Sequence, residues 1–463
     1  MSSYAYLVVS WNPANPQSNY PLHVYRGENA IKHFWQQITA EVQKIGKHYC
    51  RVVLMKISDE QLFHFQNEVE HKCHICGNSI ARGNAVCDHC HLTGEYRGPA
   101  CSVCNKKYLL PNFVPILFYS ASSYDMKFLI KQLSTVTGTP SAANNVTNDD
   151  DVDQKVAVKK VKFAIGQHSR GDCSSEIQDS VQNEILQPRS ICDSRMSVIA
   201  TNSEKFITIS KKLWFATGKR DRCGKEIYKY INARFLDSSR FLESSLAKLA
   251  ESLPQDRFIH TRKYFPDCSN FELVTQKNFF PYEYITDASK YDDSYLPSRE
   301  AFASSLANGS TISEYEYEFA QKVYRDFNCK TLGDYSDLYV KIDVLLLAEV
   351  FEEFRRKSNT VFNLDPSWYI SLPGYVWSAA LKYTNASIEL ITDKDMFLLF
   401  KSSKRGGFVF VNRWYAEANH PALPEPLYDP KKPHDWIFYI DCNNLYGYAM
   451  CQPLPIGEYS WLD

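Results

Sequence analysis

Two C-x-x-C pairs constrain the fold of this chain more than any other feature of its sequence. The pairs are Cys73–Cys76 and Cys101–Cys104, and residues 77–100 lie between them. Each tight turn presents two thiolates to one ion, so two turns supply the four ligands of tetrahedral Zn²⁺. We therefore predict a structural zinc site in an insertion at residues 71–107. Cys87 and Cys90 are alternative ligands, and the sequence leaves a swap with either pair open.

The distribution of cysteines and charges indicates the class of protein. Six of the 14 cysteines fall between Cys73 and Cys104, which favours metal binding over disulfides and an intracellular protein. The start of the chain lacks the basic flank and long apolar core of a signal peptide, and no apolar run is long enough for a membrane span. A short basic run at 159–162 is a weak nuclear signal. The net charge of −1 means that any basic groove for nucleic acid must be local.

The segment between the cysteine pairs carries its own motif. It reads Asp88-His89-Cys90-His91, and Asn105 follows the second pair. This pattern resembles the core of HNH nucleases of the recombination endonuclease VII type. The resemblance implies that Asp88 and Asn105 hold Mg²⁺ while His89 activates water. A purely structural zinc knuckle is the alternative, and we favour it over cleavage.

Apolar periodicity predicts an α/β fold for much of the chain. Residues 4–10 and 22–26 are predicted strands, and residues 29–46 form an amphipathic helix. A buried strand is expected at 114–119, and a helix opens near Asp125. Ser, Thr, Asn and Asp dominate residues 134–198, where no period survives, so we predict a disordered insertion there.

Near the carboxyl terminus, an apolar run ends in an aspartate. Trp436–Ile440 precedes Asp441, and Asn443-Asn444 follows with turn chemistry. The run predicts a buried strand that delivers a carboxylate at its exit. A carboxylate in this position suits Mg²⁺ bound together with a triphosphate. An ordinary strand and turn with a solvated aspartate is the competing interpretation.

Several motifs along the chain share one resemblance. They are Asp441-x-x-x-Leu445-Tyr446 with NNLYGYAM and QPLP, Tyr339-x-x-x-Asp343, the helix start at Asp125, and Lys404-Arg405-Gly406-Gly407. In this order they resemble the motifs of protein-primed family B DNA polymerases, the type found in Polinton/Maverick transposons, adenoviruses and linear plasmids. The zinc insertion also resembles one carried by the transposon branch.

The resemblance implies roles for particular residues. Asp441 would bind catalytic Mg²⁺, and the residues after it would bind the nucleotide, namely Asn444, Leu445 and Tyr446. The carboxylates and phenol of a 3′–5′ exonuclease site would be Asp125, Tyr339 and Asp343. DNA would be contacted by Arg405, Gly406 and Gly407. The implied partners are a DNA template and primer, deoxynucleoside triphosphates and a terminal priming protein, with no membrane partner, and the implied ions are Mg²⁺ and structural Zn²⁺.

The resemblance also implies a domain plan: an RNase H-like exonuclease domain interrupted by the zinc insertion and the disordered insertion, followed by the start of a polymerase palm. The predicted segments are 1–133, with the zinc insertion at 71–107, then 134–198, 199–360 for the second exonuclease part, 361–435 as a linker, and 436–463 for the palm.

The sequence lacks the first exonuclease motif and the second palm aspartate motif. Because one aspartate cannot hold a two-metal clamp, we expect an amino-terminal polymerase fragment that neither polymerises nor proofreads alone. The alternative is an HNH endonuclease or DNA-binding protein domesticated from a mobile element. A product without function is a third interpretation.

Overall fold

The computed structural model describes residues 2–9, 22–51, 53–81, 83–107, 111–120, 125–135, 196–202, 205–266, 269–305, 308–404, 406 and 409–461. The chain divides into two compact units, Met1–Gly374 and Tyr375–Asp463. Both α-helices and β-strands occur, so the predicted mixed α/β class is confirmed in this coarse form. No helix in the described ranges combines the length and apolar character needed to cross a membrane.

A four-stranded sheet forms the centre of the first unit. Its strands are β7 (Phe113–Phe118), β8 (Met196–Ala200), β9 (Phe206–Arg220) and β10 (Glu226–Asp237), numbered in chain order. Their order across the sheet is β7-β10-β9-β8. β7 runs parallel to β10, whereas β9 is antiparallel to both β10 and β8. An antiparallel meander with one parallel strand at its edge is compatible with the RNase H-like prediction, which stays a prediction.

One face of the sheet is covered by α1 (Ala30–Tyr49) and α4 (Asp125–Thr135). Apolar residues of α1 recur at helical spacing and are buried together with sheet residues; they are Phe34, Trp35, Ile38 and Val42. This spacing places all four side chains on one side of the helix. The helix predicted at 29–46 is therefore confirmed, and it continues for about one turn further.

The hairpin of β1 (Ser2–Leu7) and β2 (Leu22–Gly27) adds a second layer. It connects the sheet region to a long helix, α8 (Leu332–Phe362), through an ion pair of 3.1 Å between Arg26 Nε and Asp337 Oδ1. α8 begins with Thr331 and Asp334 in a reciprocal capping box, which satisfies two backbone donors at its start. The helix therefore has a defined start, and it carries Tyr339 and Asp343 one turn apart.

α8 is the support for the helical half of the first unit. One part of it packs against α5 (Leu246–Glu251) and α6 (Ile259–Tyr264), and the buried core there includes Leu246, Phe258, Ile342 and Leu346. Near its start, Leu332 and Tyr335 pack with residues of α7 (Glu314–Asp326). Asp237, at the end of β10, accepts a hydrogen bond of 3.0 Å from the Ser239 N–H and so caps the short helix that follows.

The predicted insertion at 134–198 falls mostly outside the described residues. Its two ends are ordered: α4 continues through Thr135, and β8 begins at Met196.

The second unit contains most of α9 (Leu372–Thr384), with α10 (Lys394–Ser402) and α11 (Leu445–Met450). The buried strand predicted at Trp436–Ile440 is wrong, because these residues form no strand and expose 55–93% of their surface. The segment is apolar, but in the described part of this unit no strand pairs with it. An unpaired strand has no ladder of hydrogen bonds to stabilise it. The turn predicted at Asn443-Asn444 is present, and Asn444 has a left-handed backbone. The polymerase palm stays a prediction.

A buried glutamate makes the stability of the α6–α8 contact depend on pH. Glu349 of α8 is 2% exposed, and its Oε1 accepts a hydrogen bond of 2.7 Å from the Thr261 N–H of α6. Burial raises its pKa from 4.5 to about 7, although the Thr261 donors oppose this change. Because the folded-state pKa is the higher one, the folded protein binds more protons, and stability falls as pH rises from about 4.5 to about 7.

We expect Glu349→Gln to remove this pH dependence. Glutamine keeps an acceptor for Thr261 without a charge, so the variant should match the wild type near pH 5. At pH 8 it should be more stable, by up to about 3 kcal/mol. Urea unfolding at both pH values measures this, with Glu318→Gln, an exposed position on α7, as the matched control. An unchanged pH dependence in Glu349→Gln would contradict the assignment.

Candidate functional site

The cysteine pairs lie in a small module built from two hairpins and a helix. β3 (His71–Lys72) pairs with β4 (Ser79–Ile80), and β5 (Ala85–His89) pairs with β6 (Tyr96–Cys101). α3 (Ser102–Lys107) follows β6 directly. The first C-x-x-C pair belongs to the turn between β3 and β4, whereas the second pair joins the end of β6 to the first turn of α3.

The four cysteines converge on one point. The sulfurs of Cys73, Cys76, Cys101 and Cys104 all lie within 4.8 Å of one another. Tetrahedral zinc with Zn–S bonds of about 2.3 Å requires S–S separations of about 3.8 Å, so the donor set fits this ion. Cys87 and Cys90 are not part of the cluster found among the described residues, which decides between the alternatives that the sequence left open.

Backbone donors prepare the sulfurs for a cation. The Cys101 N–H donates to Cys73 Sγ at 3.4 Å, and the Cys104 N–H donates to Cys101 Sγ at 3.4 Å. Burial disfavours the Cys73 thiolate, but N–H donors including Cys101 and Cys76 outweigh it and lower the Cys73 pKa to about 6. Hydrogen bonds to the sulfurs of Cys101 and Cys76 raise the pKa of Cys104. Protons shared among four thiols in this way are displaced when a metal binds.

Asp88 connects the first cysteine turn to the second hairpin. It is 2% exposed, and its two oxygens have different partners. His74 Nε2 lies 2.8 Å from Oδ2, and Arg97 Nη2 donates to Oδ1 at 2.9 Å. Arg97 also donates to the backbone oxygen of His89 at 2.8 Å. The carboxylate is thus already neutralised inside the module, which reduces the charge that it could offer to Mg²⁺.

The other residues of the predicted nuclease motif lie nearer the surface. His89 is half-buried, and its ring centroid lies 4.7 Å from that of His91. The strand register shifts between Asp88 and His89, and such a bulge re-aims the side chain that follows it. Asn105 is half-buried on α3. The structure therefore places the predicted residues in one module but gives Asp88 a role in ion pairing.

Comparison with known proteins identifies this region. Residues 48–111 match the recombination endonuclease VII family. The match covers a minor part of the chain, so it describes the endonuclease VII-like module and not the whole protein. No curated protein and no solved structure is significantly similar to the chain. The resemblance noted in the sequence is confirmed for this module, whereas the polymerase resemblance receives no support from these comparisons.

A second group of charged residues is contributed by α4, β10 and α8. Asp125 is the first residue of α4, Asp237 ends β10, and Asp343 is on α8. Burial raises the pKa of Asp125, and the nearby charge of Asp237 adds to this effect. Burial of the Tyr282 hydroxyl raises its pKa, and the nearby charges of Asp343 and Asp125 raise it further. We call Asp125, Asp237 and Asp343 the carboxylate cluster.

A lysine provides the positive charge in the carboxylate cluster. Lys277 Nζ lies 2.5 Å from Asp343 Oδ2 and donates to the Tyr339 hydroxyl at 2.9 Å. Tyr282 donates to the same hydroxyl at 2.7 Å. Burial raises the pKa of Asp343, and the charge of Lys277 opposes this rise. The pKa of Tyr339 is also raised, mainly by burial and then by the charge of Asp343. Asp343 Oδ1 is buried and accepts no hydrogen bond within the described part of the chain.

The residues predicted to bind nucleotide and DNA lie in the second unit. Asp441 is exposed, as are Leu445 and Tyr446 at the start of α11. Asn444 precedes that helix, and its side chain lies against Gly447. Of the three predicted DNA-contacting residues, Gly406 is exposed, while Arg405 and Gly407 lie outside the described residues.

Sequence reasoning missed the cations of both groups. It did not connect Lys277 with Asp343, and it did not pair His74 or Arg97 with Asp88. Lys277 and Asp343 are 66 residues apart in the sequence and are brought together by tertiary folding, which local patterns do not encode. His74 lies inside the first C-x-x-C pair, so its position beside the zinc ligands was the available signal.

We expect the purified protein to contain one zinc ion per chain, held by the four clustered cysteines. Cys73→Ser and Cys101→Ser should each lose the ion, because each removes one of four ligands. Cys87→Ser, in the same module but outside the cluster, is the matched control and should keep it. Elemental analysis after gel filtration measures the stoichiometry. Loss of zinc from Cys87→Ser with retention in Cys101→Ser would reverse the ligand assignment.

Proposed function

We propose that this protein binds DNA and that the endonuclease VII-like module is the part that makes the contact. The observation that carries the proposal is the family match over residues 48–111, together with the four-cysteine cluster at the centre of that region. The proposal concerns the module and does not depend on the function of the other segments.

The module carries the cationic groups that phosphate binding requires. Lys106 and Lys107 are exposed at the end of α3. The rings of His89 and His91 lie on the hairpin that precedes this helix. Lysine ammonium groups bind phosphates as point charges, and such contacts supply most of the affinity for DNA backbone. Zinc would fix the helix relative to the hairpin and hold these groups in one arrangement.

Binding is favoured over cleavage by the environment of Asp88. A nuclease of this type would need the Asp88 carboxylate to hold Mg²⁺, but both of its oxygens pair with His74 and Arg97. Release of this carboxylate would break the ion pair between buried Asp88 and Arg97, which is costly. The arrangement therefore suits a structural role for Asp88.

We expect the 463-residue chain to bind duplex and four-way-junction DNA with an affinity that falls as salt rises. Lys106→Glu/Lys107→Glu should weaken binding by at least about tenfold, because it replaces two attractive charges with two repulsive ones. Lys322→Glu, an exposed position on α7, is the matched control and should bind like the wild type. Fluorescence anisotropy with labelled DNA measures the affinity, and zinc content confirms that each variant is folded.

The same samples test cleavage. Mg²⁺-dependent nicking of branched DNA that is lost in His89→Ala, with zinc retained, would replace binding by cleavage as the function of the module. Equal DNA affinity for the wild type and Lys106→Glu/Lys107→Glu would remove the module from the interface.

A second candidate function is favoured by the carboxylate cluster. We propose that the first unit contains the exonuclease-like part of a family B DNA polymerase fragment, and that the segment around Asp441 belongs to its palm. In support, Asp125 and Asp343 act on the same hydroxyl although they are distant in sequence, and Tyr339 lies one helical turn before Asp343. The order of these residues is that of the resemblance.

In this candidate function, the ammonium group of Lys277 occupies the position that a divalent metal ion would take beside Asp343. Its ammonium group lies 2.5 Å from Asp343, so a divalent metal would compete with it. We expect the wild type to bind Mn²⁺ weakly, and Lys277→Met to bind it at least about tenfold more tightly, because removal of the lysine leaves the aspartates uncompensated.

Calorimetric titration with Mn²⁺ measures this difference. Lys330→Met, an exposed position just before α8, is the control and should match the wild type, and Lys277→Met/Asp343→Asn should lose the gain. Primer extension or 3′ trimming by the unmodified chain would contradict the expectation that it is inactive alone. Equal Mn²⁺ affinity in the wild type and Lys277→Met would show that Lys277 does not occupy a metal position.

A further inference from the structure

The distal half of the β9–β10 hairpin extends past the rest of the sheet. β8 pairs with β9 only as far as Lys211, and β7 pairs with β10 only from Asn232 onward. Between these limits, the strands at 212–231 pair with each other and, in the described parts of the chain, with no further strand. We call residues 212–231 the ribbon.

The two faces of the ribbon have different surroundings. On the inner face, Phe215 and Ile231 are buried against α1, and the helix approaches so closely that a Cβ on Gly46 would lie 2.5 Å from the Phe215 ring. On the outer face, Trp214 lies directly opposite Tyr230, with ring centroids 5.1 Å apart. Residues two apart on a strand share a face, so Tyr228 extends this aromatic row.

The aromatic row is accessible and is accompanied by positive charge. Tyr228 and Tyr230 each expose 38% of their surface, and Lys212 Nζ lies 4.8 Å from the centroid of the Tyr230 ring. The ribbon contains six Lys or Arg residues and two acidic residues, in a chain whose net charge is −1. The concentration of cations here is therefore local.

The tip of the ribbon is ordered. Asp221 Oδ1 accepts hydrogen bonds from the N–H groups of Cys223 and Lys225, which closes the turn and fixes the direction of the strands. Beside the ribbon, Lys219 and Glu226 line an open pocket of about 570 Å³ together with Lys47 of α1 and Arg51, which follows that helix. Cations thus lie at the tip of the ribbon and in the adjoining pocket.

We propose that the ribbon is a binding surface for single-stranded DNA, separate from the endonuclease VII-like module. Bases would stack on the aromatic row, and phosphates would lie near Lys212 and the cations of the tip. Aromatic side chains in a cationic groove bind single strands because every base has a face that can stack, whereas the bases of a duplex are already stacked on each other. The aromatic row favours a single strand over an acidic peptide, because an acidic peptide would be bound through charge alone.

The test uses the zinc-loaded 463-residue chain and a labelled oligothymidylate of about 20 nucleotides. Fluorescence anisotropy at about 50 and about 200 mM salt gives the affinity and its salt dependence. Tyr228→Ala should weaken binding by about tenfold through loss of stacking. Lys219→Glu/Lys225→Glu should weaken it further and reduce the salt dependence.

Matched controls are an exposed tyrosine and an exposed lysine away from the ribbon, Tyr315→Ala on α7 and Lys32→Glu on α1. Both should bind like the wild type, and circular dichroism verifies the fold of each variant. Lys106→Glu/Lys107→Glu, which tests the module, should leave single-strand affinity unchanged.

Three outcomes would overturn the proposal. One is unchanged single-strand affinity in Tyr228→Ala and in Lys219→Glu/Lys225→Glu. Another is a loss of affinity in Tyr228→Ala that is equally large for duplex DNA of the same length, which would show that stacking is not involved. The third is loss of single-strand binding in Lys106→Glu/Lys107→Glu, which would assign the contact to the module. Failure of the module to bind duplex DNA would leave the ribbon proposal standing.

Discussion

The parallel pairing of β7 with β10 is the constraint on which the positions of the sites in the first unit depend. The register runs from Phe113 opposite Asn232 to Phe118 opposite Asp237. Parallel strands need a long crossover between them, and here the crossover contains α4, the insertion and the other two strands. The carboxylates gather where β7 and β10 end, because Asp125 follows β7 and Asp237 closes β10. The module precedes β7 in the chain, and the ribbon precedes the part of β10 that pairs with β7. Both are therefore connected to the amino-terminal ends of these paired strands, whereas the carboxylates lie at their carboxyl-terminal ends.

Two carboxylates of the first unit are matched by cations of the chain, and this distinguishes their sites from the cysteine cluster. Asp343 pairs with Lys277, and Asp88 pairs with Arg97. The clustered thiols have no such side chain among them and instead have the spacing that a zinc ion requires. Removal of one partner from a buried pair leaves an uncompensated charge, which costs more than the pair itself contributes. Charge balance therefore decides which site takes its cation from the chain and which takes it from solution.

Features encoded by neighbouring residues could be predicted from the sequence. The strand predicted at 114–119 is Phe113–Phe118, and α1 begins one residue after its predicted start. The same reasoning failed for Trp436–Ile440, because an apolar run shows that a segment can be buried but does not show which segment pairs with it. Of the three cysteine pairs, spacing indicated the outer two but left the inner pair open. The contact of Lys277 with Asp343 arises from tertiary folding, which local patterns do not encode.

The net charge of −1 means that any cationic surface for nucleic acid must be local, and the ribbon is such a local concentration of positive charge. Charges on the surface are screened beyond about 8 Å at physiological ionic strength, so acidic residues elsewhere on the chain do not cancel the cations of the ribbon. What matters is the local density of charge and its position beside groups that can stack. The ribbon meets both conditions through sheet pairing and α1 packing, whereas the module meets the first through Lys106 and Lys107, on a helix that begins in the four-cysteine cluster. Because different interactions hold the two surfaces in place, the loss of zinc should not by itself remove the ribbon.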